Sequence, residues 1–144
     1  MKLAPHFSLA EMTASETAAR NGWDNTPSED EIRNLTRTAQ LLEMVRDTVG
    51  KPVLVTSGFR SKRVNDAVGS SDRSQHRLGC ASDFRVPQMT PREVVEACIA
   101  AELPFDQIIV EFDAWTHISV PNDPASAPRR QALIIDRNGA RPFA

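Results

Sequence analysis

The chain has 144 residues, 40% of them hydrophobic and 25% charged, a size and balance that fit one domain able to bury roughly 70% of its unfolded surface. Its 17 Lys and Arg against 19 Asp and Glu leave a formal net charge of −2, without the basic excess of a phosphate-reading protein, which argues against nucleic acid as the main partner. No stretch approaches the ~20 apolar residues of a membrane span and the N-terminal segment has no apolar run of signal-peptide length, so a soluble chain made in the cytoplasm, without membrane insertion, is expected.

The segment from Met1 to Gly22 reads as two short helices. Ser8-Leu9-Ala10-Glu11 has the spacing of a capping box, Ser15 can cap the second helix, and Asn21-Gly22 can stop it in a left-handed conformation. Trp23 to Pro27 is expected to be a loop. From Ser28 onward Ile32, Leu35, Ala39, Leu42, Val45 and Val49 recur at three- and four-residue steps before Gly50, which predicts the main amphipathic helix. Lys51-Pro52 ends it, and Val53 to Thr56 is an apolar, β-branched run expected to form a buried strand. A short helix over Ser61 to Val68 and a polar loop over Gly69 to Ser74 follow. Ala81 to Val86 is expected to be a strand, and Thr90-Pro91-Arg92-Glu93 is a capping box with proline at the first helical position, leading into Val94 to Ala101. Gln107 to Val110, Trp115 to Val120 and Leu133 to Asp136 complete the set, the last as a terminal strand before Asn138-Gly139. Pro121 to Arg130 is a surface loop. Helices early and strands late predict an α+β fold: one domain over residues 1–144, with an antiparallel sheet and helices packed on one side.

Two cysteines and three histidines exclude a Cys-rich zinc finger or a disulfide framework. His76 and Asp83 would lie about 23 Å apart on a straight strand, so they can share a metal only if the chain reverses, and Gly79 between them permits that. Strand parity places Ala81 and Asp83 on one face and Cys80 and Ser82 on the other, which makes Cys80 a poor ligand. Two imidazoles and a carboxylate with a position left to water form a set typical of catalytic zinc. His6 reads as a surface or helix-end residue, and Cys80 and Cys98 as buried thiols.

Ser74-x-His76-x-x-Gly79-x-Ala81-x-Asp83 is the complete hallmark S-x-H-x-x-G-x-A-x-D of the zinc D-Ala-D-Ala carboxypeptidases, dipeptidases and phage L-alanyl-D-glutamate endopeptidases, which the chain resembles. The hedgehog proteins share that fold. Ser57-Gly58-Phe59-Arg60-Ser61 is similar to the family's upstream motif, and Phe7 to Asn25 to the N-terminal lead of its small members. The resemblance implies zinc held by His76, Asp83 and His117, a peptidoglycan peptide substrate, and amide hydrolysis in which zinc activates water and polarises the scissile carbonyl. It places Arg60 at the substrate, on an oxyanion or a carboxylate, and Ser74 as a polar contact near the ligands; outside the motif, Arg60 would read as a turn arginine paired with a nearby acid.

Relatives carry the general base three or six residues before the last histidine. Ala114 removes the first option, leaving Glu111, with Asp113 as the competing acid. A hairpin with its apex at Phe112 to Ala114 would return Glu111 opposite His117 and turn Asp113 outward, which favours Glu111 as the group that takes the proton and delivers it to the leaving amine. Trp115 stands where several relatives have a histidine; indole donates one hydrogen bond but carries no proton between groups, so Trp115 is assigned to the wall of the substrate site. The expected protein is a monomeric peptidase, cutting either an L-Ala-D-Glu or a D-Ala-D-Ala bond. It would reach the wall by holin-dependent release or as a phage component. The other reading is a zinc-stabilised structural or binding module of a phage particle.

Overall fold

The computed structural model describes residues 1–143. The chain opens with β1 (Lys2–Ala4) and β2 (Phe7–Ser8), a small antiparallel pair, then α1 (Leu9–Thr13), α2 (Glu16–Asn21) and α3 (Glu29–Val49). After α3 come β3 (Leu54–Ser57), α4 (Lys62–Ala67), a 3₁₀ turn over Gln75–Leu78, β4 (Ala81–Arg85) and α5 (Pro91–Ala100). Four strands close the described chain: β5 (Gln107–Glu111), β6 (Trp115–Ser119), β7 (Gln131–Asp136) and β8 (Gly139–Pro142).

The helix boundaries follow the caps. Ser8 and Glu11 form a reciprocal capping box, Ser15 caps α2, and Gly22 ends it in a left-handed conformation at φ 65°. Ser28 with Glu31, and Thr90 with Glu93, do the same for α3 and α5, with Pro91 in the first turn of α5. Leu35, Ala39, Leu42 and Val45 of α3 are wholly buried, as the three- and four-residue spacing requires. Each such leucine is worth about 2–5 kcal/mol against truncation to alanine.

The main sheet has the order β3-β4-β6-β5-β7-β8. Phe84, Ile118, Ile108 and Val110 point from β4, β6 and β5 into one core with α3 and α5. Asp83 and His117 alternate with these residues and so belong to the opposite face. Cys80 lies on the core face, as strand parity predicts, and both cysteines are buried and unpaired with each other.

Four features differ from the sequence reading. The β1–β2 pair was not expected; its strands are too short for period-two patterning to register. The run at Val53 to Thr56 forms β3, but at the sheet edge, with Leu54 52% exposed; an unbroken apolar run reads as buried whether or not a partner lies on each side. The sheet is antiparallel except for one pair, β5 with β7. The loop after β6 passes the start of β5, where the Arg130 amide donates to the Phe105 carbonyl and the Gln131 amide to that of Asp106, so β7 skips over its sequence neighbour. The strand at Leu133 to Asp136 is also not the last, because Asn138-Gly139 turns the chain back into β8.

Candidate metal centre

His76 stands on the 3₁₀ turn, whose start is capped by Ser74 and whose end is Gly79 at φ 80°. This is the reversal the motif requires. Gly79 has a second reason to lack a side chain: a Cβ there would meet the Glu31 carbonyl oxygen at 2.6 Å and Leu35 Cγ at 3.1 Å. Helix α3 thus packs directly on the turn. It also bonds to it, through Thr38 Oγ1 to the Gly79 carbonyl at 2.8 Å and Asn34 Nδ2 to the Leu78 carbonyl at 2.9 Å.

Asp83 on β4 and His117 on β6 are directly paired across the antiparallel ladder. His117 Nδ1 lies 2.9 Å from Asp83 Oδ1, and His76 Nε2 lies 3.4 Å from the same oxygen. One ligand atom from each residue falls within 4.8 Å of the others, so the three side chains face one point that a single ion could occupy. The rings of the two histidines meet edge to face with centroids 5.1 Å apart.

The donor set fits a cation on chemical grounds. The His76 Nδ1–H donates to the Gly58 carbonyl at 2.7 Å, which fixes the tautomer and aims the Nε2 lone pair at the Asp83 carboxylate. Two acceptors facing each other need a cation or a proton between them. Burial, the largest influence, holds His76 below its ordinary pKa despite Asp83, so the neutral imidazole, the form that binds metal, is favoured. Burial alone would raise the Asp83 carboxyl, but the two facing imidazoles, His117 foremost, outweigh it and keep Asp83 well below the usual carboxylate range. Asp83 is ionised, as a ligand must be.

The β5–β6 hairpin places the two acids. Its turn carries positive φ at both central residues, Phe112 at 55° and Asp113 at 51°, as in a type I′ turn, and the Ala114 amide donates to the Glu111 carbonyl at 3.0 Å. Asp113 points outward and pairs with Arg92 Nε at 3.1 Å. Glu111 points to the metal side, with Oε1 3.8 Å from His117 Nδ1. The register differs in one detail from the expected hairpin: Ile109 is opposite His117, and Glu111 pairs with Trp115. Glu111 reaches His117 as a diagonal neighbour on the same face. Burial first, then the Asp83 charge, raise its carboxyl above the ordinary glutamate value.

Arg60 is half-buried, and its backbone amide donates to the His76 carbonyl at 3.0 Å. Burial lowers its pKa while the charges of Asp83 and Glu111 raise it. Its Nε has no partner among the described residues. It lines a cavity of about 500 Å³ between α2, β3 and α4. The Ser74 hydroxyl accepts from the His76 amide at 3.3 Å. Trp115 leans on Phe112, ring centroids 5.7 Å apart. Its indole N–H has no partner of hydrogen-bonding geometry among the described residues, though it lies near enough to favour the charged Glu111 carboxylate. His6 is accounted for locally: its ring and its backbone amide both bond to Glu43.

The sequence reading missed the Gly58 carbonyl that orients His76. Its signal was the glycine itself: a Cβ at Gly58 would lie 2.3 Å from the Met12 carbonyl oxygen. It also missed the network of Asp106, Gln75 and Arg129. Gln75 Nε2 donates to Asp106, to the Val120 carbonyl and to Asn122 Oδ1, while Arg129 forks onto the buried Asp106 carboxylate at 2.7–3.1 Å. Nothing in the local sequence marks groups brought together from segments 23 and 31 residues apart.

Two imidazoles and a carboxylate converging beside a second, raised carboxylate define a site of the metallohydrolase type. The family model described as Peptidase M15 matches residues 5–119, and the chain belongs to that family of peptidases. A comparison with curated proteins finds no match. Among the described residues no helix is long and apolar enough to cross a membrane.

Proposed function

We propose that this chain is a zinc peptidase that hydrolyses an amide bond in the stem peptides of bacterial peptidoglycan, with His76, Asp83 and His117 as metal ligands and Glu111 as general base. The observation that carries the reading is the position of Glu111, 3.8 Å from a ligand nitrogen, with its carboxyl raised toward the range useful for proton transfer. Family membership supports a peptide substrate.

Zinc held by the three ligands would supply a Lewis acid for the scissile carbonyl and bring the pKa of water toward ~7. Glu111 takes the proton of the attacking water at its carboxylate and passes it to the leaving amine. The half-buried Arg60 guanidinium, with an unpartnered Nε, turns its donor fork to the carbonyl oxygen as charge develops, or to a substrate carboxylate. Ser74 and Trp115 border the bound peptide. The Gly58 carbonyl holds His76 in its tautomer throughout. The scissile bond is either L-Ala-D-Glu or D-Ala-D-Ala. The enzyme works as a monomer on the cell wall, reached by holin-dependent release or as part of a phage particle.

The test is Glu111→Ala. Zinc content is expected to stay at one per chain while release of peptides from purified cell walls falls to background. Unchanged hydrolysis would overturn the base assignment, and zinc binding without hydrolysis by the unmutated chain would favour a non-catalytic module.

A further inference from the structure

The N-terminal lead from Phe7 to Asn25 supplies none of the groups assigned to the metal centre, yet it packs on the segment after β3 that carries Gly58 and Arg60. The Phe59 amide donates to the Met12 carbonyl at 2.8 Å. Asn25 makes the remaining contacts. Its Nδ2 donates to the Thr13 carbonyl at 2.8 Å and to the Phe59 carbonyl at 3.1 Å, and its Oδ1 accepts from the Ser61 amide at 2.8 Å. One side chain thus holds the peptide groups on both sides of Arg60. Two carbonyls and one N–H also fix the orientation of the Asn25 amide, because the flipped amide would set like groups against each other at all three partners.

The loop is shaped to deliver that side chain. Asp24 Oδ1 accepts from the Thr26 amide at 3.0 Å and from its hydroxyl at 2.6 Å, an Asx turn that closes around Asn25. Trp23 lies against the Arg63 guanidinium, whose carbon is 4.4 Å from the ring centroid, which ties the same loop to α4. The far end of Arg60 has no comparable support. Its Nε has no partner among the described residues, and the charges of Asp83 and Glu111 act on the guanidinium from a distance. Its place beside the metal is therefore set from the backbone end, where the Arg60 amide donates to the His76 carbonyl at 3.0 Å and Asn25 holds the groups on either side.

We propose that Asn25 is a positioning residue, which holds the backbone around Arg60 so that the guanidinium stands on the substrate side of the metal. The inference rests on the peptidase reading, in which Arg60 meets the substrate, and it gives the N-terminal lead a part in that site. A shift of about 1 Å in a group that meets the substrate can cost up to about a hundredfold in rate.

The experiment is a double-mutant cycle on the zinc-loaded chain. Asn25→Ala, Arg60→Ala and the combined variant are compared in kcat/KM on a soluble stem peptide, with zinc content and melting checked for each. Asn25→Ala is expected to lower kcat/KM about tenfold or more when Arg60 is present and less than about twofold when it is not. Asn25→Ser, whose hydroxyl can meet one of the three partners, should restore part of the loss, and it replaces the alanine variant in the cycle if that variant does not fold. A second readout needs no turnover: the Arg60 Nε–H resonance should shift on Glu111→Gln, and the shift should be lost when Asn25→Ala is added. Where Arg60→Ala leaves too little hydrolysis to compare, this readout decides. A loss from Asn25→Ala that is as large without Arg60 as with it, or a resonance that answers Glu111→Gln equally with and without Asn25, would overturn the proposal. If no variant hydrolyses the peptide while the resonance depends on Asn25, the positioning stands and the peptidase reading fails. Hydrolysis in which the two substitutions act independently gives the converse.

Discussion

Gly58→Ala perturbs the metal centre without touching a ligand. An added Cβ would sit 2.3 Å from the Met12 carbonyl oxygen and 3.0 Å from its carbon, both backbone atoms that cannot rotate away. The segment after β3 must move relative to α1, which puts at risk the Phe59 amide bond to Met12 at 2.8 Å and the His76 bond to the Gly58 carbonyl at 2.7 Å. Two hydrogen bonds at about 1 kcal/mol each amount to about 2 kcal/mol of stability. At roughly 4 °C per kcal/mol for a chain of this length, the apo protein should melt about 8 °C lower. The His76 ring would lose the acceptor that fixes its tautomer, and losses of that kind weaken metal binding 10–100-fold, or about 1.4–2.7 kcal/mol. Competition with a chromophoric chelator measures the zinc affinity, and thermal unfolding with and without zinc separates the two effects. A variant that melts lower but binds zinc with unchanged affinity would refute the argument that the Gly58 carbonyl organises the ligand.

Further expectations separate the acids and the supports of the site. Glu111→Gln should lower kcat by about 10²–10⁴, whereas Asp113→Asn, which removes only the exposed pair with Arg92, should leave stability within about 0.5 kcal/mol and activity within about twofold; rates and melting curves of the two variants distinguish them. Gly79→Ala combines positive φ with a contact at 2.6 Å to the Glu31 backbone and is expected to cost about 2 kcal/mol or more in denaturant unfolding. Asp106→Asn breaks a forked pair whose carboxylate is buried and whose arginine is largely exposed, for an expected loss of about 1–3 kcal/mol at neutral pH. Hydrogen bonds from Arg129 hold the Asp106 carboxyl below its ordinary value despite burial. A folded-state pKa depressed in this way contributes stability above the unfolded value of about 3.9 and loses it as pH falls through the folded value. The unmutated chain should therefore lose this increment below about pH 4, and the difference between the two proteins should shrink there; a constant difference down to pH 2 would be inconsistent with the pair.

The elements with local signals were legible in the sequence. The capping boxes at Ser8, Ser28 and Thr90, the stripe from Ile32 to Val49, and the reversal at Gly79 are all set by neighbours within a turn or two. The hallmark from Ser74 to Asp83 was visible for the same reason, and His117 entered through the family resemblance. Pairings between distant strands were not legible. Whether Leu54 lies in the middle or at the edge of the sheet depends on partners far along the chain. The parallel pairing of β7 with β5 depends on how the loop after β6 passes Phe105 and Asp106. The same limit hid the contacts that organise the site, since the Gly58 carbonyl and the Asp106 network act across elements.

The central claim is that the triad and Glu111 form a working peptidase on peptidoglycan. Mass spectrometry of the muropeptides left after purified cell walls are incubated with the zinc-loaded chain tests it most directly. The account predicts cleavage at one stem-peptide amide, L-Ala-D-Glu or D-Ala-D-Ala, abolished by chelation, restored by zinc and absent with Glu111→Gln. Unaltered muropeptides from a folded chain carrying one zinc would contradict it.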